Sequence, residues 1–287
     1  MLPTQVLDAL APAAGQTIVD ATVGAGGHAR LLAERLGPTG RLIGLDQDPT
    51  MLALARSRLE GFPVTLRHAN FDQLPAVLSE LGIAAADDVL ADLGVCFDQI
   101  DTPERGFSFQ QPGPLDMRMD PEQGEPARAL LRRLSERELA DIFWKYGEER
   151  YSRRIARKIV ETRRRTPLET TEQLAELVRR CVPRLRGRRQ VIDPATRVFQ
   201  ALRIAVNDEL GALDRFLAAL PACVKPGGRA VVISFHSLED RRVKQAFRDK
   251  QHWENLTRKP VRANEEELRN NPRARSAKLR AATRLTR

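Results

Sequence analysis

The chain reads as an α/β protein, a parallel sheet flanked by helices and opened in the middle by a helical insertion. Two observations predict this. Strand-like and helix-like patterns alternate through the first hundred residues, the order that gives a parallel sheet with right-handed crossovers. More than a hundred residues then separate the fourth strand-like run, 88–93, from the next, 229–235. A crossover needs only a dozen or so, so a second domain must lie between them.

The elements follow in order. Residues 17–21 read as a first strand, followed by a glycine-rich turn and a helix from His28 to about Leu36. Residues 41–45 form a second buried run ending at Asp46. Asp48-Pro49 then opens a helix, with Asp48 as N-cap and Pro49 at the first helical position. Residues 64–67 and 88–93 are the third and fourth strands, the latter carrying Asp92. In the insertion, Ser135–Glu138 and Thr170–Gln173 have capping-box spacing. Ile155, Ile159 and Val160 supply one apolar stripe, and Leu174, Leu177 and Val178 another. Lys225-Pro-Gly-Gly228 reads as a turn before the fifth strand, and 279–285 as a last strand after a polar stretch. The expected organisation is 1–104 and 198–287 as one domain in two parts, with 105–197 inserted as a helical substrate or RNA domain.

The glycine turn carries the chemistry. In Asp20-Ala-Thr-Val-Gly24-Ala-Gly-Gly-His28, an acid stands four residues ahead of Gly24. Such turns usually cradle a pyrophosphate on backbone N–H groups. A carboxylate there would repel a phosphate and favour a cationic cofactor. S-adenosylmethionine fits, with a sulfonium, an ammonium and no phosphate. Asp46 follows Gly24 by 22 residues, near the offset at which an acid meets ribose hydroxyls in Rossmann-like folds; a turn role is the alternative. Residues after strand four sit at the sheet's C-terminal edge, where ligands bind. Asp92 is placed to hold the cofactor's amino group or a target amine. Gln99 can donate or accept. Phe97 could stack on a flipped base or simply pack, and Cys96 reads as a small buried residue rather than a nucleophile. His28 is a cofactor contact or an ordinary helix-start residue. His236 faces the pocket or is a core histidine.

Formal net charge is +9 with pI about 10.1. Residues 150–190 hold fourteen Lys/Arg against four Asp/Glu, a net +10, which leaves about −1 for all the rest. A localised basic surface points to an anionic polymer, with Arg163–Arg165 and Arg184–Arg189 as expected phosphate contacts. The alternative is a solvated helix face laced with i,i+4 pairs. Three isolated cysteines and four scattered histidines indicate neither a disulfide framework nor a metal site. No targeting pattern or membrane-length apolar run occurs, so a soluble cytoplasmic protein without membrane contact is expected.

Several longer motifs occur in order: Arg105-Gly-Phe-Ser-Phe109, Asp116-Met-Arg-Met-Asp120, Tyr146-Gly-Glu-Glu-Arg150, Pro194-Ala-Thr-Arg197, Phe199-Gln-Ala-Leu-Arg203 and Ser234-Phe-His-Ser-Leu-Glu-Asp240. With them the chain closely resembles the ribosomal RNA small subunit methyltransferase H family over nearly its whole length. The resemblance implies a Rossmann-like methyltransferase sheet interrupted by a helical domain. It implies methyl transfer from S-adenosylmethionine to N4 of a decoding-centre cytidine of 16S rRNA, with 16S rRNA or the small ribosomal subunit as partner. It places the cofactor on Gly26, Gly27, His28, Asp46, Phe71 (beside the adenine), Asp92 and Gln99. For hydrogen bonding to the target N4, Asp92 or Asp98 is the candidate catalytic residue. A homodimer is open to such a chain. The chain departs from the family with Cys96-Phe97-Asp98 where Ser-Ser-Pro is usual and Asp193 where His is usual. A methyltransferase of another substrate, a non-catalytic or retargeted RNA-binding paralogue, and a dinucleotide dehydrogenase are the competing readings. Asp20 and the incomplete G-x-G-x-x-G pattern weigh against the last.

Overall fold

The computed structural model describes residues 1–183 and 193–286. The elements in chain order are α1 Pro3–Leu10, β1 Thr17–Asp20, α2 Gly27–Leu36, β2 Arg41–Asp46, α3 Pro49–Arg58, β3 Val64–His68, α4 Leu74–Glu80, β4 Ala86–Asp92, α5 Phe97–Asp101, α6 Ala127–Arg133, α7 Glu136–Gly147, α8 Ser152–Arg163, α9 Thr171–Cys181, α10 Ala195–Asn207, α11 Glu209–Cys223, β5 Val224–Ser234, α12 Ser237–Ala246, β6 Trp253–Asn255, α13 Glu265–Asn270 and β7 Lys278–Arg284.

The chain divides into two compact units, residues 1–94 with 210–287, and residues 95–209. The divisions fall ten residues before and twelve residues after the boundaries expected at 104 and 197. Sequence pattern places them less well because α5 and the end of α10 carry no turn signal that marks a change of unit.

The first unit holds one seven-stranded sheet in the order β3-β2-β1-β4-β5-β7-β6. β1 to β5 are parallel, and β7 runs antiparallel to both β5 and β6. Strand runs are apolar on both faces because both faces are covered. Alternate residues serve separate cores: Val19, Ile43, Val89 and Val232 lie in one, Ile18, Leu42, Leu90 and Val231 in the other. The chain winds from β1 to β3 in one direction, and β4 starts again on the other side of β1. That reversal opens a crevice at the C-terminal ends of β1 and β4, where ligands bind in open α/β sheets.

Asp48 caps α3 as its spacing indicates, accepting the Thr50 N–H at 2.9 Å. The Lys225–Gly228 stretch differs from expectation. It lies within β5 as a register shift, with Ala86 opposite Val224 and Asp88 opposite Arg229. The glycines allow it: Gly227 has φ +83°, and a Cβ on Gly228 would sit 2.0 Å from the Asp87 carbonyl.

The second unit is helical around its own core, which includes Leu139, Phe143, Ile155, Ile159, Leu174, Val178, Val198 and Leu202. Both capping boxes form, at Ser135/Glu138 and Thr170/Gln173. The Asp116–Asp120 motif is a backbone clasp. Met117 has φ +65°; Asn207 donates to its carbonyl at 2.8 Å and accepts the Met119 N–H at 2.7 Å. Among the described residues no helix is long and apolar enough to cross a membrane.

Candidate active site

Three strands of the first unit end in carboxylates: β1 in Asp20, β2 in Asp46 and β4 in Asp92. The glycine turn between β1 and α2 runs among them. Val23 donates its N–H to Leu45 O at 2.7 Å, and Gly26 donates to Val23 O at 2.8 Å. Gly24 and Gly26 take φ of +51° and +85°, a region that disfavours any residue with a Cβ. Gly27 and His28 begin α2.

Each acid has a different duty. Asp20 is 1% exposed. Its Oδ1 accepts the Thr22 N–H at 3.2 Å, while Oδ2 is buried with no hydrogen-bond partner. Burial pushes its carboxyl up to about 6, against the pull of His28 and the Thr22 N–H, with Asp92 and Asp46 adding repulsion. Asp46 has both oxygens engaged, Oδ2 accepting the Gly24 N–H at 2.8 Å and Oδ1 the Asp48 N–H at 2.9 Å. Burial raises it to about 6 as well, outweighing those two hydrogen bonds. Asp46 therefore holds the turn, and any ribose contact would use lone pairs beyond these two. Asp92 Oδ2 lies 3.4 Å from His28 Nε2, and its buried Oδ1 has no partner.

The structure thus gathers Gly26, Gly27, His28, Asp46 and Asp92 around one turn, with Asp20 beneath it. Phe71 belongs to the same unit. It opens a short 3-10 turn capped by Asn70 and packs edge-on against Phe216, ring centroids 5.4 Å apart. Asp98 and Gln99 lie in the second unit, on α5. Asp98 is exposed. Gln99 is 5% exposed, and its Oε1 accepts the Cys96 N–H at 3.0 Å, closing a capping box. Cys96 is half-buried at the N-cap rather than buried, because α5 starts there. His236 is a largely buried, hydrogen-bonded histidine: it is the N-cap of α12, Nδ1 accepts the Glu239 N–H at 3.4 Å, and Nε2 lies 3.0 Å from Glu239 Oε1.

Two site residues escaped the sequence reading. The Thr22 hydroxyl accepts the Asp92 N–H at 2.6 Å, tying the end of β4 to the glycine turn. Gly44 on β2 lies under Val23; a Cβ there would sit 2.9 Å from Val23 Cγ2 and 2.8 Å from Leu66 Cδ2. The Gly44 signal was present, as a glycine inside a buried strand marks close backbone approach. Thr22 carried none.

On the basic window, Arg163 differs from expectation. Its Nη1 donates to Leu131 O at 2.5 Å and Leu134 O at 2.6 Å, serving carbonyls at the end of α6. Arg164 and Arg165 are exposed. The expected contacts at Arg184–Arg189 lie outside the described residues. Asp193 accepts from Arg179 Nε and from the Ala195 N–H, both at 2.9 Å.

Residues 1–285 match the MraW methylase family. The chain belongs to that family. It is an S-adenosylmethionine-dependent methylase family. A protein of Sorangium cellulosum is 51% identical over 99% of this chain and 90% of its own length. One of Syntrophotalea carbinolica is 51% identical over 99% and 97%, and one of Prochlorococcus marinus 54% over 99% and 88%. All three are named ribosomal RNA small subunit methyltransferase H. The site fits the cofactor on its own chemistry: two buried carboxylate oxygens, on Asp20 and Asp92, lack protein partners, and a cationic ligand would supply what they lack.

Proposed function

We propose that this chain methylates small-subunit ribosomal RNA, moving a methyl group from S-adenosylmethionine to N4 of a decoding-centre cytidine of 16S rRNA. The observation that carries the reading is the set of strand-end carboxylates around the glycine turn, two of them with an unpartnered buried oxygen. Such a site takes a cation and rejects a pyrophosphate. The relatives' names and the net +10 of residues 150–190 support RNA as the substrate.

When bound, S-adenosylmethionine supplies an electrophilic methyl on a sulfonium. The chain's own residues do the rest. Gly26, Gly27 and His28 shape the turn that receives the cofactor. Asp20 contributes negative charge beneath it. Asp46 fixes the turn and offers remaining lone pairs to ribose hydroxyls, and Phe71 borders the adenine. Gln99 completes the binding set. The cytosine N4 lone pair is delocalised into the ring, which makes the amine a poor nucleophile. A carboxylate accepting an N4–H bond localises that pair on nitrogen, and Asp92 or Asp98 is assigned this role. Neither need be a strong base; alignment and exclusion of water lower the barrier.

The test incubates the protein with methyl-labelled S-adenosylmethionine and ribosomal subunits from cells lacking the modification. Label entering the RNA of small subunits and not of large ones is the expected result. No label, with cofactor binding intact, overturns the reading and favours a retargeted or non-catalytic paralogue, for which Cys96-Phe97-Asp98 is the segment to revert first.

A further inference from the structure

The corner between α7 and α8 carries an unusual surface. Trp144, in the last turn of α7, is 58% exposed, and Tyr151, the N-cap of α8, is 38% exposed. The buried stripe of α7 is Leu139, Ala140, Phe143 and Gly147, so Trp144 stands off the core-facing side. Neither ring stacks on another ring or on a cation among the described residues. Four exposed cations surround them in sequence, Lys145, Arg150, Arg153 and Arg154. None of the four is in an ion pair among the described residues. Of the two acids in this stretch, Glu149 is turned inward, 3% exposed, where Oε1 accepts the Tyr151 N–H at 2.8 Å; Glu148 is exposed.

The backbone that presents these rings is fixed. Glu149 N–H donates to Phe143 O at 3.1 Å, and Ser152 N–H to Glu149 O at 3.2 Å. A Cβ on Gly147 would sit 2.5 Å from Arg197 O, so α7 ends tight against α10. Two large rings exposed at a fixed corner, with four exposed cations beside them in sequence, match a partner with π faces and regular negative charge. An unpaired nucleic-acid strand has both, whereas a duplex hides its base faces.

We propose that the α7–α8 corner is a stacking platform for a single-stranded segment of the RNA substrate. Trp144 and Tyr151 each take one base face, and Lys145, Arg150, Arg153 and Arg154 follow the phosphates. This rests on the reading of the chain as an RNA methyltransferase and adds where unpaired RNA is gripped.

The experiment uses the full chain and a fluorescein-labelled single-stranded oligouridylate, followed by anisotropy, with an RNA duplex of equal length as comparison. Trp144→Ala and Tyr151→Ala are each expected to weaken single-strand binding between about fivefold and a hundredfold. Trp144→Phe is expected to restore most of it, and none of the three should alter binding of S-adenosylmethionine. The chain has two tryptophans, and Trp253 is 3% exposed. Acrylamide quenching therefore reports on Trp144, and the oligouridylate should protect it. Wild-type affinity in both alanine variants overturns the platform, as does equal affinity for duplex. If the wild-type protein labels small subunits in the assay above yet fails to bind oligouridylate, the platform falls and the functional reading stands. If it neither labels subunits nor binds RNA, both fall.

Discussion

Replacing Asp20 by Asn should stabilise the cofactor-free protein at neutral pH while weakening its grip on the cofactor. Burial holds this carboxyl at about 6 against a reference of 3.8. A carboxyl whose folded pKa stands above its unfolded value costs stability as pH rises between the two. Nothing is lost well below the unfolded value, and the full loss is present above the folded one. At about 1.4 kcal/mol per pKa unit, the shift puts the cost of ionising Asp20 in the folded state at about 3 kcal/mol above pH 7. Asn keeps an oxygen for the Thr22 N–H. It places an amide N–H where Oδ2 has no partner, which returns about 1 kcal/mol of that gain. The expected net is a stabilisation of about 2 kcal/mol at pH 8, falling through zero to a destabilisation of under about 1 kcal/mol near pH 4, where the wild-type carboxyl is protonated and the amide penalty remains. Denaturant melts of variant and wild type across this range measure the difference, since contributions common to both proteins cancel. Calorimetric titration should show weaker S-adenosylmethionine binding in the same variant. An unchanged stability difference between pH 4 and pH 8, or no gain at pH 8, would refute the claim that Asp20 is a charge held at a cost for the ligand.

Other outcomes follow from the same geometry. Thr22→Val leaves the Asp92 N–H without its acceptor and should cost about 1–3 kcal/mol, read by thermal melting, together with a drop in cofactor affinity. Gly44→Ala drives a methyl into Val23 and Leu66 and should cost about 1–3 kcal/mol, with the turn displaced. Asp92→Ala should lose far more methyl-transfer rate than RNA affinity; equal losses would argue against its proposed role. Reversing both Arg164 and Arg165 to Glu should flatten the salt slope of RNA binding by about two, whereas Arg163→Ala should act mainly on stability, because its guanidinium serves Leu131 and Leu134 carbonyls.

What could be read from the sequence was what local pattern encodes. Apolar runs marked β1 to β5 and β7, capping spacing marked α3, α7 and α9, and the long gap before 229 revealed the insertion. The carboxylates at the ends of β1, β2 and β4 were legible because strand ends are. Pairing that depends on distant residues was not. β6 is three residues long and exists only through β7. The register shift at Lys225–Gly228 is set by the Asp87 backbone opposite. Arg163 looked like a free cation because the carbonyls it serves are some thirty residues away. Gln99 was legible as an amide able to donate or accept, but not that its carbonyl takes the Cys96 N–H. In each case a long-range or side-chain-to-backbone bond outweighed what composition suggested.

The central claim, methyl transfer to N4 of a small-subunit cytidine, meets its most direct test in nucleoside mass spectrometry of 16S rRNA. The RNA is recovered from small subunits treated with this protein and S-adenosylmethionine. N4-methylcytidine in the fragment spanning the decoding centre, absent from untreated subunits, is the expected result. A methyl group on another base or another atom, or no methylated nucleoside despite intact cofactor binding, would contradict it.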